Sequence, residues 1–285
     1  MNPLEGHPEI GFTDTRLGWM FHPRHDLFIG RSLELYGEYS RLEFDVFARI
    51  VRPGDVVVEA GANIGAHTLH LSRLARDAGR VLAFEPQRRI FQILNANLMI
   101  QNRRNVEPWP CCLGAEAGAI EFPDVPLDAP GNFGGIGRAT PASARRRVEV
   151  RTLDGFGLDA CRFLKVDVEG AEPDVIAGAM ATISAHRPVL CIEADRLDDV
   201  SRWFGTIQGL GYSFLLMLPR LFVAGNWKGR ADNVFGDVVS VNLLAFPDAP
   251  PPWTGDPSFG LLPQRDLADY RRQMAPLVAR RPAPR

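Results

Sequence analysis

The sequence predicts a doubly wound α/β fold, and three observations predict it. Short, almost wholly apolar runs recur along the chain: Val56-Val57-Val58, Val81-Leu82-Ala83-Phe84, Phe163-Leu164 and Val189-Leu190-Cys191-Ile192. Such runs fit strands buried on both faces, as in a parallel sheet. Segments with helical spacing of apolar residues separate them, so strand and helix alternate. The runs end on Glu59, Glu85, Cys112, Asp167 and Glu193, four carboxylates in five. Open α/β sheets bind ligands outside the carboxyl ends of their strands.

The elements follow in order. Residues 41–51 read as a helix, with Leu42, Phe44, Val46, Phe47 and Ile50 apolar, and Pro53-Gly54 ends it. Residues 55–59 form the first strand, 61–65 a loop and 66–78 a helix. Residues 81–85 are the second strand, with a helix from about Pro86 to Ile100. Strands are expected at 106–113, 119–122, 148–152 and 161–168. A helix at 172–184, a strand at 189–193 and a helix at 197–210 come next. Residues 212–218 and 221–224 read as a strand pair, and 238–246 as the last strand. Residues 123–146, rich in Pro, Gly and Ala, read as a long loop over the site. The run Arg145-Arg146-Arg147 beside it reads as a solvated face. Three regions result: an extension (1–37), a catalytic domain (38–246), and a Pro-rich linker with an Arg-rich tail (247–285).

Composition bounds the function classes. The 285 residues are 46% hydrophobic and 23% charged, which argues against disorder or coiled coil. The 32 basic and 34 acidic residues leave a net charge of −2, so no general nucleic-acid binder is implied. Only Lys165 and Lys228 are lysines; the other basic residues are Arg. The start has no basic, apolar leader pattern, and no run approaches the ~18 apolar residues of a membrane span. A cytoplasmic location is therefore expected. Cys111, Cys112, Cys161 and Cys191 show no CxxC spacing and read as reduced thiols.

The turn after the first strand reads Glu59-Ala-Gly61-Ala-Asn63-Ile-Gly65. It is not the G-x-G-x-x-G of dinucleotide sites. Glycines here allow close backbone approach. A pyrophosphate on the following helix N-terminus would face Glu59, so the turn favours a cationic ligand. S-adenosylmethionine, with an ammonium and a sulfonium, meets that description. Glu85, 24 residues after Gly61, can accept hydrogen bonds from both ribose hydroxyls.

Two central motifs and two flanking stretches carry a family resemblance. Residues 53–68, from Pro53-Gly54-Asp55 through Glu59-Ala-Gly61-Ala-Asn63-Ile-Gly65 to His67-Thr68, resemble the FkbM family of S-adenosylmethionine-dependent methyltransferases. So does Phe163-Leu-Lys165-Val-Asp167-Val-Glu169-Gly170-Ala-Glu172, and Gly37-Glu38-Tyr39-Ser40 with Glu43 is similar to the family's lead-in. The stretch from Asn226-Trp227 to Asp237, with Ser240 and Asn242, resembles one bacterial branch. The resemblance spans roughly residues 26–246, and the 123–146 insert departs from it. It implies a seven-stranded Rossmann-like sheet closed by 238–246. It also implies methyl transfer to a hydroxyl of a sugar, polyketide or other natural product or glycoconjugate, with amide or amine acceptors in related enzymes. By the same resemblance Glu59, Gly61, Asn63 and Gly65 line the methionine part, Glu85 the ribose, and Cys111 and Cys112 the adenine, unless the cysteines are only core. Glu38 and Ser40 close over the cofactor, and Asp167 also contacts it.

Oxygen methylation needs help with the acceptor proton. Asp167 supplies it as a base, or Asp167 and Glu193 together hold Mg²⁺. Glu169 is a further catalytic candidate. His67 is either a base or a packing and cofactor-contact residue, and Asn132 either touches substrate or sits in a plain loop. Helix-dipole stabilisation is the alternative for Asp167, Glu169 and Glu172. The competing functions are an NAD-type oxidoreductase and an inactive cofactor-binding interaction module. A small-molecule or glycan acceptor is expected, with no nucleic-acid or membrane partner and room for a homodimer.

Overall fold

A computed structural model describes residues 7–278. Its first part is a hairpin of β1 (Ile10–Thr15) and β2 (Gly18–Pro23), followed by α1 (Ile29–Tyr36) and α2 (Arg41–Ile50). The alternating region follows: β3 (Val56–Ala60), α3 (Ala66–Ala75), β4 (Arg80–Phe84), α4 (Arg88–Ile100) and β5 (Val106–Trp109). A side sheet is built from β6 (Cys112–Leu113), β7 (Gly118–Pro123) and β8 (Arg145–Arg151). The chain returns through β9 (Phe163–Val166), α5 (Glu172–Ala177), α6 (Met180–His186), β10 (Val189–Glu193), α7 (Leu197–Gly209), β11 (Ser213–Met217) and β12 (Asn242–Phe246). It ends in β13 (Leu262–Gln264) and α8 (Leu267–Val278).

The main sheet has the order β13-β11-β12-β10-β9-β3-β4-β5. Neighbours from β10 to β5 pair in parallel, whereas β12 is antiparallel to β10 and β11. Both faces are buried, as the apolar runs require. Val57, Phe163 and Cys191 pack against α1–α4, while Val58, Leu164 and Leu190 pack against α5–α8. The chain leaves β3 toward β4 and β5, then crosses back to β9 on the other side. The crevice between the ends of β3 and β9 is therefore the topological switch point, the place where open α/β sheets generally bind ligands.

The doubly wound α/β reading holds, but the sheet has eight strands where seven were expected. Residues 247–278, read as linker and tail, supply the extra one. β13 pairs with β11 at the edge, where Pro263 costs no ladder bond to a further neighbour. Trp253 stacks edge-on to Phe246 and Phe259, and Tyr270 and Met274 are fully buried. The Arg-rich end, 279–285, lies outside the described residues. Four expected elements also differ. The helix expected at 172–184 breaks at Gly178, where a Cβ would lie 2.0 Å from the Gly114 carbonyl oxygen. The strand expected at 106–113 splits at Pro110 into β5 and β6, which belong to different sheets. Residues 221–224 form no strand, and 238–241 precede β12 rather than extend it. All four cysteines are free thiols. Among the described residues no helix is long and apolar enough to cross a membrane.

Candidate active site

A cavity of about 1440 Å³ opens over the ends of β3, β4, β9 and β10. It exceeds the ~300–1,000 Å³ usual for one small ligand and can hold two side by side. Ala60–Asn63, Phe84–Gln87, Cys111–Leu113, Asp167–Glu169 and Glu193 form its floor. Tyr39, Glu43 and His67 stand on one side, and Leu218, Arg220 and Asp237–Asn242 line it as well.

The loop after β3 is shaped by the neighbouring strands. Gly61 has φ +86°, and a Cβ there would lie 1.8 Å from the Asp167 carbonyl oxygen. Its N–H and that of Ala62 donate to the Phe84 carbonyl at 3.0 and 2.9 Å. The close approach that demands glycine is thus to β9's continuation, not only to a ligand. Gly65 opens α3 at φ +90° against Leu94 and does not line the cavity. Gly61→Ala meets both a forbidden φ and a backbone clash. It is expected to cost roughly 3 kcal/mol or more. An unchanged urea midpoint would refute that reading of the loop.

Glu85 follows β4 and is 3% exposed. Its Oε2 accepts from the Asn63 N–H at 2.9 Å and its Oε1 from the Gln87 N–H at 2.8 Å. Asn63 reaches this position through a left-handed φ of 50°. Burial pushes the Glu85 carboxyl up to about 7, against the pull of those two bonds. Each oxygen keeps capacity for a further donor. Cys112 and Cys111 line the cavity beside it. Burial, then Glu85, pushes the Cys112 thiol up to about 12, so it is a neutral thiol rather than a nucleophile.

Behind the crevice lies a buried charge network. Lys165, 1% exposed on β9, donates from Nζ to Asp167 Oδ2 at 2.7 Å. Across the strand pair stands Glu59, fully buried, whose Oε2 accepts from Thr68 Oγ1 at 2.6 Å and whose Oε1 has no partner. Burial raises the Glu59 carboxyl, while Lys165, His67 and Thr68 oppose it. Glu43 on α2 accepts from Ser40 Oγ, and Asn242 Nδ2 lies 3.4 Å away. His67 Nε2 is 3.3 Å from Glu43 Oε2, an ion-pair distance without hydrogen-bond geometry. Burial alone would raise Glu43, but His67, Lys165 and Ser40 outweigh it and hold the carboxyl at about 2. Lys165 stays firmly protonated despite burial, because Asp167, Glu43 and Glu59 surround it.

A second cluster faces the cavity. One oxygen from each of Asp167, Glu169 and Glu193 falls within 4.8 Å of the others. Arg196 links two of them, with NH2 2.5 Å from Glu169 Oε2 and NH1 3.2 Å from Glu193 Oε2. Burial, then Asp167, raises Glu169 to about 7, with Arg196 opposing. Burial together with Asp167, Glu169, Asp195 and Glu172 raises Glu193 well above the usual carboxylate range. Crowding of like charge in this buried cluster favours the protonated acids, and a bound cation would favour the carboxylates instead. Glu172 turns away to accept from the Val168 and Gly170 N–H groups, holding the loop.

The crevice thus brings together Asp167, Glu169, Glu193, His67, Glu85, Asn63, Gly61 and Cys112. Glu38, Ser40, Glu59 and Gly65 stand behind its wall. Glu38 is engaged by Arg41 at 2.7 Å and Arg16 at 3.6 Å, and Ser40 holds Glu43. Tyr39, Glu43, Lys165 and Asn242 are site residues whose roles the sequence did not assign. The available signal was a lysine inside an apolar strand and an acid on the inner face of α2.

With this geometry in place, a family model described as the methyltransferase FkbM domain matches residues 59–214, more than half of the chain. The chain belongs to the FkbM methyltransferase family. The family match begins at Glu59 and takes in Glu85 and the 163–172 motif, but not α2 with Glu43 or the lining residues 237–242. Among curated relatives, methyltransferase 1 of Beauveria bassiana is 31% identical over 144 residues, covering 43% of this chain and 57% of that protein. Methyltransferase sdnD of Sordaria araneosa is 30% identical over 154 residues, covering 43% and 59%. The chain thus spans less than three fifths of these relatives. A solved FkbM methyltransferase from Methylobacillus flagellatus is 20% identical, covers 70% of this chain and 50% of that one, and has a TM-score of 0.45. The O-methyltransferase TomG of Streptomyces achromogenes is 14% identical with a TM-score of 0.44, covering 72% and 78%.

Proposed function

We propose that this FkbM-family chain transfers a methyl group from S-adenosylmethionine to a hydroxyl of a small molecule or glycan. The observation that carries the reading is Glu85, held by two backbone N–H groups with acceptor capacity to spare, at one end of a cavity lined by acidic side chains. The residues fit the cofactor. Glu85 would hold the ribose hydroxyls, Cys111 and Cys112 would flank the adenine, and Gly61 and Asn63 would line the methionine part. Glu59 stands behind the wall with an unpartnered Oε1. S-adenosylmethionine supplies an electrophilic methyl group on a sulfonium and leaves as a neutral thioether.

The protein's own work is to orient the acceptor and handle its proton. Asp167 faces the cavity with its side chain fixed by Lys165, which supports it as the proton acceptor. Three carboxylates within 4.8 Å also suit a hard cation such as Mg²⁺. In that variant Asp167, Glu169 and Glu193 would hold the ion, which would make the acceptor hydroxyl more acidic. A nicotinamide dinucleotide fits poorly, because its pyrophosphate would meet the same carboxylates.

Equilibrium binding of S-adenosylmethionine against NADH tests the reading. Tight binding of the first and none of the second is expected; the reverse overturns it. Glu59→Gln is expected to weaken S-adenosylmethionine more than adenosine, since only the former carries the ammonium and sulfonium. Equal losses in calorimetry would make Glu59 purely structural. An acceptor found to be methylated on nitrogen would correct the hydroxyl assignment alone.

A further inference from the structure

The insert between β7 and β8 is pinned along its length. Asp124 N–H donates to the Ala144 carbonyl at 3.0 Å and closes its base. Leu127 and Phe133, each 2% exposed, are buried in the core on the α1–α4 side. The Gly131 backbone pairs with the N-terminal segment, through Leu27 N–H to its carbonyl at 2.9 Å and its own N–H to the His25 carbonyl at 3.1 Å. Farther on, a Cβ at Gly137 would lie 2.3 Å from the Glu169 carbonyl oxygen, so the strap rests directly on the Asp167–Gly170 loop. Arg145, exposed as expected for its run, also donates to the carbonyls of Glu121 (2.9 Å), Arg138 (2.5 Å) and Thr140 (3.4 Å).

The central tie is the most informative. The Phe133 carbonyl accepts from Gln87 Nε2 at 3.0 Å, and Asn63 Nδ2 lies 3.5 Å away. These are the two residues whose backbone N–H groups hold Glu85. The same pair thus fixes the carboxylate below and the strap above, and Asn132, Gly134 and Ile136 of the strap line the cavity between. The geometry points to residues 131–137 as a third, fixed wall of a nucleoside site, packed over the adenosine moiety and not reserved for the acceptor. This rests on the cofactor reading above. It gives the insert a ligand, the nucleoside part of an adenosyl compound. The acceptor is left to enter from the side lined by Leu218, Arg220 and Asp237–Asn242.

Two variants outside the cavity lining test the wall by calorimetry of the full chain with adenosine and with S-adenosylhomocysteine. Gly137→Ala lifts the strap off the Glu169 carbonyl, and Arg145→Ala releases its base. Gly137→Ala is expected to weaken both ligands at least fivefold, by the same factor, because the wall touches the nucleoside they share. Arg145→Ala is expected to weaken them about threefold, and it carries the test if Gly137→Ala does not fold. Wild-type affinity in folded variants overturns the wall, as does a loss confined to S-adenosylhomocysteine, which would put the strap at the amino-acid end. If the wild-type protein binds neither ligand, the cofactor reading has failed instead.

Discussion

Asp167→Asn is expected to leave cofactor binding nearly intact while turnover falls ~10²–10⁴-fold, the scale of a lost general base. Asn keeps the shape, and it keeps an oxygen that can accept from Lys165 Nζ at the present 2.7 Å. Only the charge disappears, so a group acting on the acceptor proton loses its work in the chemical step alone. Single-turnover methyl transfer beside calorimetry with S-adenosylhomocysteine separates the two. The metal variant claims more. Chelation should then mimic the substitution, Mg²⁺ should restore activity, and Glu193→Gln should reproduce the loss. Loss with Asp167→Asn but not with chelation makes Asp167 a direct base. Normal turnover by Asp167→Asn would reduce the carboxylate to a helix-dipole partner and move the assignment to His67 or Glu169. His67, 7% exposed and ringed by Tyr39, Phe44 and Phe47, lines the same cavity.

Much of this arrangement was legible because parallel strands have no solvent face. Val56–Ala60 and Val189–Glu193 could only be central strands, and the residue that ends such a strand is placed at the ligand crevice by topology. What escaped depends on contacts between distant segments. Leu262–Gln264 is too short and Pro-interrupted to read as a strand, and it becomes one because β11 offers an open edge. The helix at 172–184 has unbroken apolar spacing, yet Gly178 must pass against the Gly114 backbone and the helix breaks there. Arg145 and Arg147 look alike in a run of three, but only the register of β7 and β8 brings Arg145 over the carbonyls of the strap. Glu43 and Lys165 stood inside quoted motifs, while their pairing across α2, β3 and β9 exists only in the folded chain. A site built from strand ends can be read in one dimension; the buried cations and hydrogen-bond partners around its carboxyl groups cannot.

Glu85→Ala is expected to weaken S-adenosylmethionine and adenosine alike, by at least tenfold, in a protein that still folds. Charge-assisted hydrogen bonds contribute ~1.5–3 kcal/mol each, and about 1.4 kcal/mol is already tenfold. Fold survival follows from the partners. The side chain accepts only from the Asn63 and Gln87 N–H groups at the cavity edge, where water can replace it. A pH dependence goes with the assignment. Burial holds the free Glu85 carboxyl at about 7, so near neutrality a ligand meets a mixture of acid and carboxylate. Two ribose donors favour the carboxylate, so adenosine affinity should rise from pH 6 to pH 8 and flatten in Glu85→Ala. Stability of the free protein runs the other way. A carboxyl raised in the folded state contributes its stability below the ordinary carboxylate range and loses it as pH rises through about 7. The ligand-free protein should therefore melt lower at pH 8 than at pH 6, Glu85→Gln should narrow that gap, and saturating S-adenosylhomocysteine should narrow it too. An adenosine affinity independent of pH in the wild type, together with an unchanged affinity in Glu85→Ala, would remove Glu85 from the ribose and leave it as the clasp between the two loops.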